Sequence, residues 1–438
     1  MKQTPKNIKK TLKQSIQNLA QSPQLFFSNP SKDFTRNRKL SFEQTVTSIL
    51  SMSGGTLSNE LMDFFDFKKN TPSVSALVQQ RSKISSLAFE TLFHSFTNSF
   101  TQQKLYRGYR LLAVDGSDIH IPTNKDELAS FYPGRNSQKP YNLLHLNAMY
   151  DLCRRIYVDA IVQNSKESNE HKAFINMVDR DNSAYPTIYL ADRGYESYNN
   201  LAHVQEKCAN FLIRIKDLDR CGIATGLKLP DTEEFDVDLT LKLTRKKSAE
   251  NRKQGLNYVH HKATFDYLPT HSEKSVPIEP YVLYLRLVRI KITDDTYEML
   301  ITNLDSTHFT SVELKELYAM RWGIETSFRD LKYTVGLICF HSKKAEYILQ
   351  EIFAKLTMYN FAQLITSQVI IKQKHKKYAY KANFSAVVHI CRNYLLKNIS
   401  PPEIEALIQM HIVPIRPSTS NARKINSKTS LSFLYRIA

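Results

Sequence analysis

Residues Tyr318–Lys332 read "YAMRWGIETSFRDLK" and carry four reactive side chains: Tyr318, Arg321, Glu325 and Lys332. At roughly 100° per residue, helical spacing sets them at about 0°, −60°, −20° and −40°, a single narrow face. A solvated helix laced by an i,i+4 pair accounts for Arg321 and Glu325. It gives no reason for a phenol and a second cation on the same stripe.

Working outward, "SVELKELYAMRWGIETSFRDLKYTVGL" reads as one long helix that starts at Ser311 as its cap. The run "MLITNLD" before it is a buried strand, and "KKAEYILQEIFAKLTMYNFAQLITSQVII" after it is an amphipathic helix. Further upstream, "FDVDLTLKLT" alternates apolar and polar residues without a break, the pattern of a half-buried strand. "YVLYLRLVRIKI" is another strand, so residues 217–298 read as an all-β insertion. Before it, "LLAVDGSDIHIP", "NLLHLNAMYDL" and "RIYVDAIVQ" are strands. A helix capped by Ser168, the strand "TIYLAD", the helix "NNLAHVQEKC" and the strand "NFLIRIK" follow. The order β-β-β-α-β-α-β defines a mixed α/β sheet.

Two of these strands end in an acid. Asp115 closes "LLAVD" and Asp192 closes "TIYLAD". A strand end holds a side chain rigidly and leaves its tip accessible. Grouped carboxylates repel one another unless a cation joins them, so Asp115, Asp192 and Glu325 together imply a hard divalent metal. Taken singly, each acid also fits a turn or a cap, as Asp118, Asp151 and Asp181 do. Asp115 and Asp118 differ by three positions and point to opposite faces if the strand runs through both. Asp115 follows the unbroken apolar run, and Gly116 beside it leaves room for a metal or phosphate.

The net charge is +18, with nine Lys/Arg against one Asp in residues 1–40 and twelve against two Glu in residues 372–438. A polyanionic partner follows, nucleic acid being the commonest. Residues 41–105 have short helical periodicities broken by "SGG" and "NTPS", which fit a small DNA-binding domain or a helical packing domain. Ser73 caps a helix there, and Arg81 on that helix is a candidate DNA contact. Five scattered cysteines lack C-x-x-C spacing, which gives no zinc site or disulfide frame and fits a reducing cytoplasm. No apolar run is long enough for a membrane span.

The spacing Y-x2-R-x3-E-x6-K at Tyr318, Arg321, Glu325 and Lys332 resembles the signature of insertion-sequence transposases of family four, the DDE type. "VDGSD" and "LADRGY" match the contexts of that family's two aspartates. The resemblance covers roughly residues 35–365 and implies a ribonuclease-H-like fold. It implies that Asp115, Asp192 and Glu325 are catalytic and hold two Mg2+ ions, with Mn2+ as a substitute. It further implies that Tyr318, Arg321 and Lys332 bind DNA phosphates. Partners would be double-stranded DNA, both terminal inverted repeats and target, with a homodimer in the synaptic complex of a nucleoid-associated enzyme. In a member of the family a Trp in the strand before the signature holds a flipped base. Here "TYEMLITNL" has none, which leaves Tyr297 as a candidate contact beside Arg193, while Trp322 reads as core. The expected organisation is a basic arm over 1–40, a helical domain over 41–105 and a basic region over 371–438. Between them lies a catalytic core over 106–216 and 299–370, split by the insertion. A ribonuclease-H-like nuclease and a domesticated, non-catalytic DNA-binding copy are the alternatives.

Overall fold

β1 (Arg110–Ile121) runs unbroken through Asp115 and Asp118 and organises the sheet around itself. On one side it pairs antiparallel with β3 (Tyr141–Asp151), with Asp115 opposite Ala148 and Asp118 opposite His145. β3 also pairs with β4 (Ile156–Asn164) and with the short β2 (Phe131–Tyr132). On its other side β1 pairs parallel with β5 (Thr187–Ala191), which pairs parallel with β6 (Asn210–Ile215). The crossovers carry α7 (Glu170–Arg180) and α8 (Tyr198–Glu206), preceded in the chain by six helices introduced below. Three antiparallel strands followed by two parallel ones make the sheet ribonuclease-H-like. The α7 cap is Asn169, which accepts from Lys172 N at 2.9 Å, one residue beyond the expected Ser168.

The computed structural model describes residues 3–134, 139–218, 221–269, 279–294, 296–371, 378–397 and 399–415. Parts of the expected basic C-terminal region, residues 372–377 and 416–438, lie outside them. Among the described residues the insertion forms β7 (Phe235–Thr244), α9 (Ala249–Lys253), β8 (Asn257–Tyr258) and β9 (Tyr281–Thr293). These strands do not build a sheet of their own. β10 (Thr296–Thr302) joins β6 to β9, and β9 pairs with β7, so one ten-stranded sheet continues through the insertion. The alternation read in β7 holds: Phe235, Leu241 and Leu243 are buried, and Asp236, Asp238 and Lys242 are exposed or half-buried.

Period-two alternation also sorts the central strands between two cores. Leu112, Val114, Tyr189 and Ala191 face α7 and α8. Leu111, Ala113, Ile188 and Leu190 face the other way, onto helices from both ends of the chain. Those from the N-terminal end are α1 (Pro5–Ala20), α2 (Pro23–Phe26), α3 (Phe42–Ser51), α4 (Leu57–Phe64), α5 (Val74–Arg81) and α6 (Ser86–Asn98). After the sheet come α10 (Ser311–Ala319), α11 (Trp322–Arg329), α12 (Ala345–Thr366), α13 (Phe384–Leu396) and α14 (Pro401–Met410). β11 (Ala379–Ala382) pairs with β12 (Ile412–Ile415) as a separate ribbon. No described helix is long and apolar enough to cross a membrane.

Two expectations fail here for one reason. Residues 5–20 are not a basic arm: Ile8, Leu12, Ile16 and Leu19 form an i,i+4 stripe buried in the shared core. Arg81 is not a DNA contact: its side chain is 2 % exposed and pairs with Glu351 of α12 at 2.8 Å. It also donates to Gln350 Oε1 at 2.7 Å and to the Tyr347 carbonyl. Burial works to raise the Glu351 pKa, but Arg81, His341 and Lys355 outweigh it and hold it at about 2. α12 is buried on nearly every side, and its polar residues find partners in the N-terminal helices, as Lys355 does in the Met52 carbonyl.

The N-terminal helices therefore complete the core that covers one face of the sheet. Breaking one partner of a buried, hydrogen-bonded pair costs about 3–5 kcal/mol, so Glu351→Ala is expected to lose stability of that order in urea unfolding. A chain starting near residue 105 is expected to lose cooperative unfolding altogether. A truncated chain that melts as sharply as the full one would contradict the shared core.

Candidate active site

β1 and β5 run parallel with Ala113 opposite Leu190. Two residues further on, the same register sets Asp115 beside Asp192, at the carboxyl edge of neighbouring strands. By strand parity both fall on the face carrying Ala113 and Leu190, which helices from both ends of the chain cover. Asp192 caps a short 3-10 turn, Arg193–Tyr195, and its Oδ1 accepts from Gly194 N at 2.8 Å. The Oδ1 of Asp115 accepts from Gly116 N at 2.9 Å.

Glu325 comes from α11, and the segment bearing it departs from the single helix expected. The α10 cap is Thr310, which forms a capping box with Glu313, one residue before the expected Ser311. From Tyr318 to Ile324 the backbone tightens into i→i−3 hydrogen bonds: Arg321 N to Tyr318 O at 3.0 Å, Ile324 N to Arg321 O at 3.1 Å. At Asp330–Thr334 it widens into a π turn, with Val335 N on Asp330 O at 2.9 Å. Tightening and widening change the rotation per residue, so the uniform helical wheel does not place the stripe. What gathers these side chains is docking on β1. Lys332, carried on the π turn, donates to Ser117 Oγ at 2.8 Å and to the Asp118 carbonyl at 2.7 Å.

The Arg321 guanidinium provides the positive charge between the acids. It donates to Glu325 Oε1 at 2.7 Å and lies 3.8 Å from Asp115 Oδ2, with its side chain 7 % exposed. Burial pushes Asp115 up to about 6; Arg321 and the Gly116 N–H oppose this, while the charges of Asp192 and Glu325 add to it. Asp115 thus feels the charge of both other acids, more weakly than its own burial. Burial likewise pushes the Tyr318 hydroxyl up to about 12 and lowers Lys332. Tyr318 Oη and Arg321 Nε are buried without hydrogen-bond partners. Such unmet donors are costly unless a further acceptor uses them.

As the side chains stand, no three His, Cys, Asp or Glu residues among those described lie close enough together to hold a metal ion. The donor set nevertheless fits a hard divalent cation. Carboxylate oxygens come from three separate elements, β1, the turn after β5 and α11, and Arg321 stands between two of them.

Other expected residues sit elsewhere. Arg193 is exposed beside Asp192. Tyr297 stands at the start of β10 with the Arg289 guanidinium 3.9 Å from its ring centroid, so one face of the ring is already covered. Trp322, expected in the core, is 54 % exposed, with Arg321 stacked 5.4 Å from its ring. It sits on the turn of α11 that faces away from the packed side carrying Ile324 and Phe328.

Asp118 lies on the opposite face of β1, as strand alternation requires. It takes part in a group that sequence reasoning missed. His145 Nδ1 donates to Asp118 Oδ1 at 2.8 Å, and Nε2 lies 2.9 Å from Glu170 Oε1. The room above Gly116 is used by this pair: a Cβ there would fall 2.5 Å from His145 Nε2. The glycine therefore makes space for the imidazole and not for metal or phosphate. A histidine inside the apolar run "NLLHLNAM" was the available signal.

A ribonuclease-H-like sheet with acids at the ends of adjacent parallel strands is the frame of DDE-type enzymes that cut and join DNA. The family model described as Transposase DDE domain matches residues 106–361, more than half of the chain, and the chain belongs to that family. It is 22 % identical over 358 residues to the transposase InsG for insertion sequence element IS4 of Escherichia coli (strain K12). That alignment spans 78 % of this chain and 73 % of the relative. A piggyBac transposase synaptic complex with hairpin DNA aligns over 95 % of this chain and 87 % of its own, at 10 % identity and a TM-score of 0.46. The chain is thus a DNA transposase of the DDE type, an enzyme of DNA cleavage and strand transfer.

The His145 group makes stability depend on pH. Burial acts to lower the His145 pKa, but the bonds to Asp118 and Glu170 outweigh it and raise it to about 9. A raised pKa means that the contribution is complete below about 6.5, the unfolded value, and is lost as pH climbs through about 9. Wild type is expected to exceed His145→Asn by on the order of 1–2 kcal/mol near pH 6, discounted for the half-exposed carboxylates. The difference should shrink by about that amount by about pH 10. Urea unfolding of both chains at the two pH values checks this, and a pH-independent difference would contradict it.

Proposed function

We propose that Asp115, Asp192 and Glu325 hold two Mg2+ ions, for which Mn2+ substitutes, and that the site cleaves DNA at the ends of the chain's own element. The observation that carries this reading is the register of β1 and β5. Continued two residues past Ala113 and Leu190, it sets Asp115 beside Asp192, and Arg321 links Asp115 to Glu325 of α11. Bound metal would activate the attacking oxygen and stabilise the leaving one in an in-line displacement.

The chain's own residues supply positioning and charge. Arg321 is held by Glu325 against Asp115, so its guanidinium waits at the place where a scissile phosphate meets the acids. Lys332 anchors to β1 beyond Asp115, in reach of a neighbouring phosphate. Tyr318 Oη and Arg321 Nε have donor capacity to spare for phosphate oxygens. Arg193 is exposed next to Asp192 and fits the same strand. Cleavage by water and strand transfer by the freed 3′-hydroxyl are one chemistry with different nucleophiles, so one site serves both. The partners are the element's terminal inverted repeats and target DNA. Holding two ends together requires at least a homodimer in the synaptic complex. An enzyme with these partners works at the nucleoid.

Asp115→Asn and Glu325→Gln are expected to abolish Mg2+-dependent cleavage of end-bearing DNA and to keep duplex binding, since both remove a carboxylate and leave the DNA-facing cations. Asp118→Asn, on the far face of β1, is expected to retain most cleavage. The reverse pattern between Asp115 and Asp118 would overturn the assignment.

A further inference from the structure

We propose that the outer face of α5, flanked by the basic loop 31–40 and the turn 66–70, is the surface that reads duplex DNA at the ends of the element. This rests on the reading of the chain as a transposase that binds its own ends, and it names the surface that does so.

α5 is the second helix of a pair, joined to α4 through residues 65–73. Its cap Ser73 accepts from Ala76 N at 3.2 Å. The back of the helix, Leu77, Gln80 and Arg81, is buried. The front carries Ser75, Val78, Gln79 and Ser82, an i, i+3, i+4, i+7 stripe that is exposed along its length. No charged or bulky residue interrupts it. Val78 is 39 % exposed, and the Gln79 amide has one long hydrogen bond, 3.4 Å to Ser75 Oγ. An amide, two hydroxyls and a methyl-bearing side chain are the groups that meet base edges, the amide on adenine and the methyls on thymine. A helix with its side chains is about 10–12 Å across, which a major groove about 12 Å wide admits.

The flanks supply the phosphate grip. Lys32, Arg36, Arg38 and Lys39 are exposed on loop 31–40, and Lys68 and Lys69 on the facing turn. Lys39 Nζ donates to the Asn70 carbonyl at 3.1 Å and fastens the two flanks together. A hollow of about 470 Å³ beside α5 is lined by Lys32, Arg36, Arg38 and Lys83, with Gln80 of the helix at its wall. Its one acid, Asp33, is buried and accepts from Asn29 N at 2.7 Å. Of the nearby acids on α4 and its turn, Glu60 is bound by Ser53 and Gly55, and Asp66 pairs with Lys397 at 3.2 Å. Asp63 stays exposed. Asp66 and Phe67 both have positive φ, 53° and 56°, and this turn displays the Phe67 ring 70 % exposed beside Lys68 and Lys69. A bulky residue in the left-handed region is strained, and the turn presents an apolar ring next to two cations in the chain. Duplex DNA matches this combination: phosphates for the flanks, sugar edges for the ring and base edges for the stripe.

One of the residues that sequence reasoning offered as a DNA contact gives the arrangement its stiffness. Arg81, at the back of α5, bolts the helix to Glu351 and Gln350 of α12. The reading face is thereby held at a fixed distance and angle from the sheet that carries Asp115.

The test uses the full-length chain. Duplexes are selected by wild type from a random pool of roughly 30 base pairs, long enough for about three turns of major groove. Binding of the selected duplex and of its scrambled counterpart is then followed by fluorescence anisotropy over a range of salt. Val78→Ala/Gln79→Ala is expected to lose about ten- to a hundredfold of the preference for the selected duplex, with scrambled binding unchanged. Arg36→Ala/Arg38→Ala/Lys83→Ala is expected to weaken both duplexes by the same factor. It should also flatten the log–log salt slope by about 0.9 for each phosphate that is no longer neutralised. These positions are exposed or half-buried, and unchanged thermal unfolding confirms that the variants are folded. If wild type selects a sequence and the α5 variant keeps the full preference, this surface is wrong and the end-binding reading stands. If wild type selects no sequence, both fail.

Discussion

The Arg321 guanidinium stands between the carboxylates of Asp115 and Glu325, and the candidate site is arranged around that pairing of charges. The parallel pairing of β1 with β5 sets Asp115 beside Asp192. Burial and its neighbours' charge raise the Asp115 pKa to about 6. Such a group of acids is tolerable only with a counter-charge, which Arg321 provides from between α10 and α11. The uneven winding of that segment, tight at Tyr318–Ile324 and wide at Asp330–Thr334, lets Arg321 and Lys332 both reach β1. π turns of this kind recur where a helix must present side chains off its regular spacing.

The second organising feature is the polar seam through the core behind that site. α12 is buried yet carries Gln350, Glu351, Lys355 and Asn360, each satisfied by a partner from another part of the chain. A half-satisfied seam would be worse than an apolar one, so these groups specify a single docking of the N-terminal helices. If α5 reads DNA as proposed, the consequence is geometric: a reading helix bolted to α12 and the proposed site packed on the same core keep a constant separation. A cleavage position measured from the recognised sequence follows without any additional device.

Much of this was legible in the sequence, for stated reasons. Alternation in "FDVDLTLKLT" and the apolar runs ending in Asp115 and Asp192 are local patterns, and local patterns survive folding. Strand parity put Asp115 and Asp118 on opposite faces of β1. What failed depended on partners distant in the chain. α1 looked like an arm because its lysines mask its apolar stripe, and the stripe needs α6 and α12 to cover it. Arg81 looked like a phosphate ligand because its partner Glu351 lies 270 residues away. Trp322 looked like core because an exposed tryptophan is uncommon, and its exposure depends on how α11 docks. Gly116 was read correctly as a close approach, but the approaching group, His145, comes from the neighbouring strand.

The central claim is that Asp115, Asp192 and Glu325 form one metal site on the α11 face of the sheet. Anomalous diffraction from crystals of the full-length chain grown with Mn2+ and an end-bearing duplex tests it most directly. Manganese signal is expected in contact with all three carboxylates, with Arg321 released from Glu325 toward phosphate. Signal at Asp118 and Glu170 on the opposite face, or full occupancy of the three acids by Arg321 with no manganese beside them, would contradict it.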